Sequence, residues 1–223
     1  MILNTERKYS PSTIDEFIFP DEESKEIVMA YATGKIDKPL LIFGGSGTGK
    51  STLQKLLPNA IEGRKASVRK IKCADLKSHD DIHKYYGRTK FFCKDFKDEG
   101  QKYNYFIIEE FNLKSGKLND ALKIELDESI GIDLSIFSTN RIDQVDKGII
   151  SRCEVLELKP CEPNIFFNHA KQIFTNEEKE INDEYLMKCL TLPSESGSHN
   201  EMHNLVYGRI SDEKDKSAVY AGI

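Results

Sequence analysis

The sequence GGSGTGKS at residues 44–51 most constrains the fold, because it fits the G-x-x-x-x-G-K-[ST] phosphate-binding pattern. It follows an apolar run at residues 40–43 and precedes a helical stretch at residues 51–57. A strand, a glycine-rich turn and a helix in this order direct backbone N–H groups and a helix N-terminus at one point, where they can bind a triphosphate. We therefore expect ATP there, with Lys50 on the β- and γ-phosphates and the Ser51 hydroxyl on Mg²⁺. The loop residues predicted to contact the nucleotide are Gly45, Ser46, Gly47, Thr48, Gly49, Lys50, Ser51 and Thr52.

The rest of the chain alternates between strand-like and helical patterns. Apolar or alternating runs of strand length occur at residues 65–74, 103–108, 134–137 and 153–158. Helical patterns lie between them, at residues 78–86 with Ser78 as a cap, at the apolar set Leu118, Leu122, Ile124 and Leu126, and at residues 145–151. This alternation predicts an α/β fold, in which a central parallel five-stranded sheet is flanked by helices.

From about residue 161 the apolar residues recur in helical patches without strand runs. We therefore predict a nucleotide-binding α/β domain at residues 1–160, a small helical lid domain at 161–210 and a polar tail at 211–223.

Composition excludes several classes of protein. The 223 residues are 39% hydrophobic and 31% charged, with a net charge of −5, as in an ordinary globular protein. No apolar run approaches the ~18 residues that a membrane span needs, and the start of the chain does not resemble a signal peptide. We expect a cytoplasmic protein without membrane contact, whose nucleic-acid contacts would come from a local basic patch.

Two carboxylates and an amide follow the predicted central strands. Glu110 would orient the water that attacks the γ-phosphate, Glu109 would bind the metal, and Asn140 would hydrogen-bond the water or the phosphate. Each has a structural alternative: a solvated acidic strand end for the glutamates and a plain turn residue for Asn140. The glycine-rich loop could likewise be a turn without a ligand.

Four segments in this order resemble AAA+ clamp loaders: the phosphate loop, Ile107-Ile108-Glu109-Glu110, Ser138-Thr139-Asn140 and Ile150-Ser151-Arg152-Cys153. They look like the Walker A, Walker B, first-sensor and Ser-Arg-Cys motifs of that family, and residues 8–16 are similar to its N-terminal arm. The resemblance covers about residues 7–175. It implies that Arg152 is an arginine finger that acts on a neighbouring subunit's nucleotide, so that the protein is an oligomer. It also implies that an adenine pocket is lined by Tyr9, Pro11, Phe17 and Ile18. A surface arginine and an arm that merely packs on the core are the plain alternatives.

The sequence departs from the family pattern at three places. Glu109 stands where the family usually has Asp, which would slow turnover. Residues 198–202 lack the usual second-sensor arginine, for which His199 is a weak replacement and Arg209 lies too late. The family's C-terminal collar domain has no counterpart after the lid.

Three functions remain compatible with these motifs. The first is a Mg²⁺-dependent ATPase that acts in DNA replication as an oligomer on DNA and a sliding clamp, with Lys114, Lys117, Arg88 and Lys90 as candidate phosphate contacts. The second is a nucleotide-switched adaptor or helicase loader of a phage or mobile element with weak turnover. The third, a superfamily 3 helicase, lacks support from the Ser-Arg-Cys element and the arm.

Overall fold

A computed structural model describes residues 8–87, 98–176 and 180–191 of the chain. The strands are β1 (Leu40–Phe43), β2 (Val68–Lys72), β3 (Asn104–Glu109), β4 (Asp133–Thr139) and β5 (Glu154–Glu157). The α-helices are α1 (Glu22–Ala32), α2 (Lys50–Glu62), α3 (His79–Ile82), α4 (Gly116–Glu128), α5 (Lys147–Ile150), α6 (Pro163–Asn176) and α7 (Asp183–Thr191). A π-helical turn follows α3 at His83–Gly87, and short 3-10 turns occupy Cys73–Asp75 and Ile142–Gln144.

The five strands form one sheet in the order β2-β3-β4-β1-β5, and every neighbouring pair is parallel. β1 lies between two strands that come much later in the chain, because Leu40 is level with both Ile136 and Glu154. The α/β fold with a five-stranded parallel sheet is thus confirmed. All carboxyl ends of the strands lie at one edge, where open α/β sheets bind ligands.

Both faces of the sheet are covered by helices, so the central strands are buried on both sides. One apolar cluster joins Phe106, Ile108 and Phe137 to residues of α3 and α4. The cluster on the other face includes Tyr105 and Ile136, together with residues of α1 and α2. Burial of β3 and β4 explains why their sequences read as nearly continuous apolar runs.

Helices α6 and α7 pack on each other through an apolar cluster of their own, which we call the lid cluster. Its buried members are Phe166, Ala170, Ile173, Phe174, Leu186 and Leu190. The boundary at residues 160 and 161 and the extent of the lid to residue 210 stay predictions. Residues 198–202, Arg209, the tail at 211–223, Arg88 and Lys90 lie outside the described residues.

One detail of the predicted helices is wrong. Ile124 was expected on the apolar face of α4 but is 51% exposed, because Leu118, Leu122 and Leu126 at i, i+4 spacing already define that face. Glu125 is buried there instead, and one of its oxygens lies 2.5 Å from His83 Nδ1. The predicted helix at residues 78–86 is present with its Ser78 cap; it is α-helical to Ile82 and continues as a π-helical turn to Gly87.

Among the described helices, none has the length and apolar character needed to cross a membrane.

Candidate nucleotide-binding site

The phosphate loop connects β1 to α2 and lies close to two other segments. Gly44 has φ +150°, and a Cβ there would lie 2.2 Å from the carbonyl oxygen of Leu158 just after β5. Gly49 has φ +92°, and its Cβ would lie 3.0 Å from Cζ of Phe17 in the N-terminal arm. Conformation therefore favours glycine at both positions, and at Gly44 the close Leu158 backbone leaves no space for a side chain.

Lys50 is the first residue of α2, and its side chain turns back over the loop. Its Nζ donates hydrogen bonds to the carbonyl oxygens of Gly44, at 2.9 Å, and of Gly45. Burial lowers the pKa of the Lys50 ammonium, because desolvation disfavours the charged form. A phosphate anion beside Nζ would offset that penalty, so the geometry and charge of Lys50 fit a triphosphate.

The loop and the carboxyl ends of β2, β3 and β4 enclose a cleft of about 880 Å³. Its lining combines donors and cations from the loop with the predicted acids and amide: Ser46, Gly47, Gly49, Lys50, Ser51, Thr52, Lys55, Lys72, Cys73, Ala74, Glu109, Glu110, Asn112, Ser138, Thr139 and Asn140. The structure therefore brings the loop, both glutamates and Asn140 to one cleft. Ser51 and Glu109 offer a hydroxyl and a carboxylate oxygen there, which are ligands that suit Mg²⁺.

The two glutamates leave the end of β3 in different backbone conformations. Glu109 is the last residue of the strand, whereas Glu110 has φ +53° and is the only described non-glycine residue with positive φ. The next residue is fixed again, since Phe111 N–H donates to the Ser138 carbonyl at 2.7 Å. The chain thus turns sharply at Glu110, and strain of this kind in other proteins concentrates at functional sites.

Gln54 is a residue at this site that the sequence analysis missed. It lies on α2 one turn after Lys50 and is fully buried. Its Nε2 donates to the carbonyl oxygen of Ile136 on β4 at 2.8 Å and, at 3.4 Å, to that of Ile108 on β3. Gln54 therefore ties the phosphate-loop helix to the two strands that deliver the glutamates and Asn140. A polar residue on the buried face of α2 was the available signal.

The four arm residues predicted to surround adenine are not all together. Phe17 contacts Gly49 of the loop and belongs to the core, whereas Tyr9 and Ile18 pack on the lid cluster. Phe17 and Ile18 also line a second cavity of about 420 Å³, between the arm, α1 and Ile165 of α6. Pro11 is partly buried and lines neither of the two cavities. The adenine pocket stays a prediction.

Arg152 does not line the cleft. It follows α5, and its guanidinium binds the carboxylate of Asp127 near the end of α4, with Nε to Oδ1 and Nη2 to Oδ2 both at 2.8 Å. The hydrogen bond and the nearby charge raise the pKa of Arg152 and lower that of Asp127, so both stay charged. The role of Arg152 as an arginine finger therefore stays a prediction.

Comparison with known proteins shows which proteins have a similar sequence. The sequence is 29% identical over 194 residues to the sliding-clamp-loader large subunit of Escherichia phage RB69, covering 83% of this chain and 58% of the relative. The corresponding subunit of Enterobacteria phage T4 is 30% identical over 153 residues, with coverage of 68% and 45%. The replication factor C small subunit of Picrophilus torridus is 26% identical over 182 residues, with coverage of 80% and 56%. No family model matches the sequence.

Solved structures support the fold independently. RuvB from Thermotoga maritima, described as a Holliday junction branch migration motor, superposes with a TM-score of 0.67 at 18% identity. The match covers 95% of this chain and 67% of RuvB. At that identity it shows the fold alone.

The sheet order and the phosphate loop, together with these matches, define an AAA+ P-loop protein. Within that class the chain is related to the sliding-clamp loaders and replication factor C subunits, which confirms the resemblance seen in the sequence. The chain spans little more than half the length of the RB69 and Picrophilus relatives.

Proposed function

We propose that this protein binds ATP with Mg²⁺ and hydrolyses it as part of an oligomer that loads a sliding clamp onto DNA. The observation that carries the proposal is the single cleft in which the phosphate loop meets Glu109, Glu110 and Asn140. We also assign residues 1–160 to the nucleotide-binding domain and 161–210 to the lid.

The residues of the cleft suit distinct roles in phosphoryl transfer. Lys50 would exchange the loop carbonyls for the β- and γ-phosphates. Ser51 and Glu109 would hold Mg²⁺, which neutralises charge on the phosphates when it is bound. Glu110 would orient and polarise the attacking water, and Asn140 would hydrogen-bond that water or the γ-phosphate. Their shared position at the carboxyl edge of the sheet supports these assignments.

Arg152 would complete the site of a neighbouring subunit. A guanidinium stabilises the charge that develops on the transferring phosphoryl group. The position of Arg152 outside its own cleft supports a role in trans, and a role in trans requires an oligomer.

The printed names of the relatives suggest DNA and a sliding clamp as partners. Lys114 and Lys117 are exposed at the start of α4, on the segment that follows the acidic end of β3. These lysines are candidate phosphate contacts, since lysines that contact the DNA backbone position a protein without reading its sequence.

The test is steady-state ATP hydrolysis with and without primer–template DNA. The intact chain is mixed with increasing amounts of Glu110→Gln or Arg152→Ala protein at constant total concentration. We expect DNA to stimulate hydrolysis, and we expect each single variant to lower activity in proportion to its fraction. A chain that carries both substitutions should lower activity faster than linearly, because a shared site is then lost when either of its two contributing subunits is mutant.

Slow hydrolysis whose rate changes neither with DNA nor with Arg152→Ala would overturn the clamp-loader mechanism. That result would favour the nucleotide-switched adaptor instead. Strand unwinding would indicate a helicase.

A further inference from the structure

The guanidinium of Arg152 is held at two points by other parts of its own chain. Its Nε and Nη2 donate to the two carboxylate oxygens of Asp127, each at 2.8 Å, and its Nη1 donates to the carbonyl oxygen of Gly148 at 2.8 Å. The two bonds to Asp127 form the bidentate arrangement that matches a planar guanidinium to a carboxylate. Three hydrogen bonds therefore define the plane and direction of the Arg152 side chain.

The two groups that hold Arg152 belong to elements that are themselves fixed. Asp127 follows the buried Leu126 of α4. The N–H of Gly148 is bound by Oδ1 of Asp146 at 2.8 Å, which caps α5. The two helices also touch, since a Cβ on Gly148 would lie 2.8 Å from Cδ of Lys123. A side chain anchored on both helices keeps one orientation.

The anchored guanidinium still has two N–H groups that can bind a ligand. A guanidinium carries five N–H groups, and three of them are used by Asp127 and Gly148. One N–H on Nη1 and one on Nη2 have no acceptor among the described residues. The Arg152 side chain is 34% exposed, so an oxygen from outside the subunit can reach it. Two terminal donors on one plane suit the oxygens of a phosphate.

We propose that Asp127 is a positioning residue that orients Arg152 toward the phosphate of a nucleotide bound to the neighbouring subunit. The inference rests on the proposed function, in which Arg152 acts in trans, and adds the residue that pre-arranges it. Asp127 occupies one edge of the guanidinium and leaves the terminal donors available. Without Asp127 the long arginine side chain would sample several rotamers, and a displaced catalytic group costs rate even when it stays nearby.

The opposite role for Asp127 is that of a competitor, which withholds Arg152 from the neighbouring nucleotide. The two roles predict opposite changes in hydrolysis when the carboxylate is removed. The rate of ATP hydrolysis therefore decides between the two roles, provided that it is measured on a mixture in which one variant supplies Arg152 and the other supplies the ATP site.

The experiment separates the subunit that supplies the finger from the subunit that supplies the ATP site. A finger donor carries Glu110→Gln, so that its own site is inactive, and a site donor carries Arg152→Ala. Hydrolysis in their mixture then reports Arg152 of one chain acting at the cleft of the other. Asp127→Ala is added to the finger donor, and kcat and KM for ATP are measured.

We expect Asp127→Ala in the finger donor to lower kcat of the mixture by about tenfold with little change in KM, since a finger that stabilises only the transition state leaves ground-state binding intact. Asp127→Asn keeps one acceptor oxygen and should lie between. The matched control is Asp120→Ala on the same helix, whose carboxylate binds Lys123 at 2.8 Å. We expect that control to stay within about twofold of the parent mixture, because Asp120 does not contact Arg152.

The same substitution in the other chain controls for damage to the fold. Asp127→Ala in the site donor, which has no Arg152 to position, should leave kcat of the mixture unchanged. A loss of equal size in both placements would overturn the inference, as would an unchanged or faster rate with Asp127→Ala in the finger donor. Parent donors that fail to complement each other would overturn the trans finger itself, and with it both proposals.

Discussion

Gly44 of the phosphate loop has no room for a side chain. A Cβ there would lie 2.2 Å from the Leu158 carbonyl oxygen, and the φ of +150° is unfavourable for any L residue. Gly45 is its matched control, because the nearest atom to a Cβ at that position is Thr48 Cγ2 at 3.9 Å. We expect Gly44→Ala to lower the free energy of unfolding by at least about 3 kcal/mol, and Gly45→Ala by less than about 1 kcal/mol. Equal losses in urea denaturation would contradict this account of the loop.

Glu110 carries backbone strain at the position that we propose orients the attacking water. A left-handed conformation costs a non-glycine residue about 1–2 kcal/mol, and glycine loses part of that gain through its greater freedom in the unfolded chain. We therefore expect Glu110→Gly to raise the free energy of unfolding by up to about 1 kcal/mol while hydrolysis is lost. Glu110→Gln keeps the strain and should match the stability of the parent. A glycine variant less stable than the glutamine variant would argue against strain at φ +53°.

Gln54 shows how α2 is fixed to the sheet by side-chain donors. Gln54→Glu would remove both donors and place a carboxylate against the Ile108 and Ile136 carbonyl oxygens. We expect Gln54→Glu to lower the free energy of unfolding by about 3–5 kcal/mol, because an unpaired buried charge destabilises the folded state. Gln54→Leu loses the hydrogen bonds without adding charge and should cost about 1–2 kcal/mol.

Denaturation of the two Gln54 variants at several pH values provides the measurement. Burial would raise the pKa of the introduced carboxyl group in the folded Gln54→Glu variant, because desolvation disfavours the charged form. The excess penalty over Gln54→Leu should therefore shrink toward pH 4, where that carboxyl is protonated. An excess penalty that does not change with pH would show that charge is not its cause.

Helix α1 begins with a cap whose strength depends on pH. Asp21 Oδ1 accepts a hydrogen bond from Ser24 N–H at 2.8 Å. Hydrogen bonds from Ser24, and more weakly the charge of Lys159, hold the pKa of Asp21 below its usual value of 3.8. A lowered folded-state pKa gives stability that is present above pH 3.8 and is lost as pH falls below it.

We expect Asp21→Ala to cost about 1 kcal/mol at pH 7, the usual value of an N-cap. The difference in free energy of unfolding between Asp21→Ala and the parent protein should become smaller as pH falls from 5 toward 3. Thermal or urea unfolding at several pH values measures it. Asp21→Asn keeps a capping oxygen and should lose only a few tenths of a kcal/mol at pH 7. If the loss of stability in Asp21→Ala stays constant down to pH 3, the charge of Asp21 does not contribute to the cap.

Sequence patterns predicted the elements better than their contacts. Continuous apolar runs revealed β3 and β4 because burial on both faces leaves no polar alternation. The phosphate loop, the glutamates and Asn140 were predicted together, since parallel strands end at one edge of the sheet. Ile124 was assigned to the wrong face of α4, because the prediction grouped the apolar residues of the helix without placing each one by its rotation of about 100° per residue.

The remaining contacts depend on tertiary distances that no local pattern encodes. The partners Asp127 and Arg152 are 25 positions apart, and Gln54 meets carbonyl oxygens on two later strands. Adenine-pocket residues were grouped by family resemblance, but adjacent residues of the arm belong to different clusters.

At the scale of the whole molecule, the arm connects the sheet to the helices that follow it. Phe17 is buried with the core residues behind the phosphate loop, whereas the next residue, Ile18, packs on the lid cluster. Phe17 also touches Gly49, so the loop, the arm and the lid cluster are linked within a few residues. A change in the loop on nucleotide binding therefore has a short path to α6 and α7.

The strand order also determines what happens while the chain is being made. β1 leaves the ribosome before both of its neighbours in the sheet, because Leu40 pairs with Ile136 and Glu154, which are 96 and 114 residues later. At a translation rate of about 5–20 residues per second, this apolar strand waits roughly 5–20 seconds for its neighbours. The core behind the phosphate loop therefore closes only after nearly the whole sheet has been synthesised, and chaperones can protect β1 during that interval.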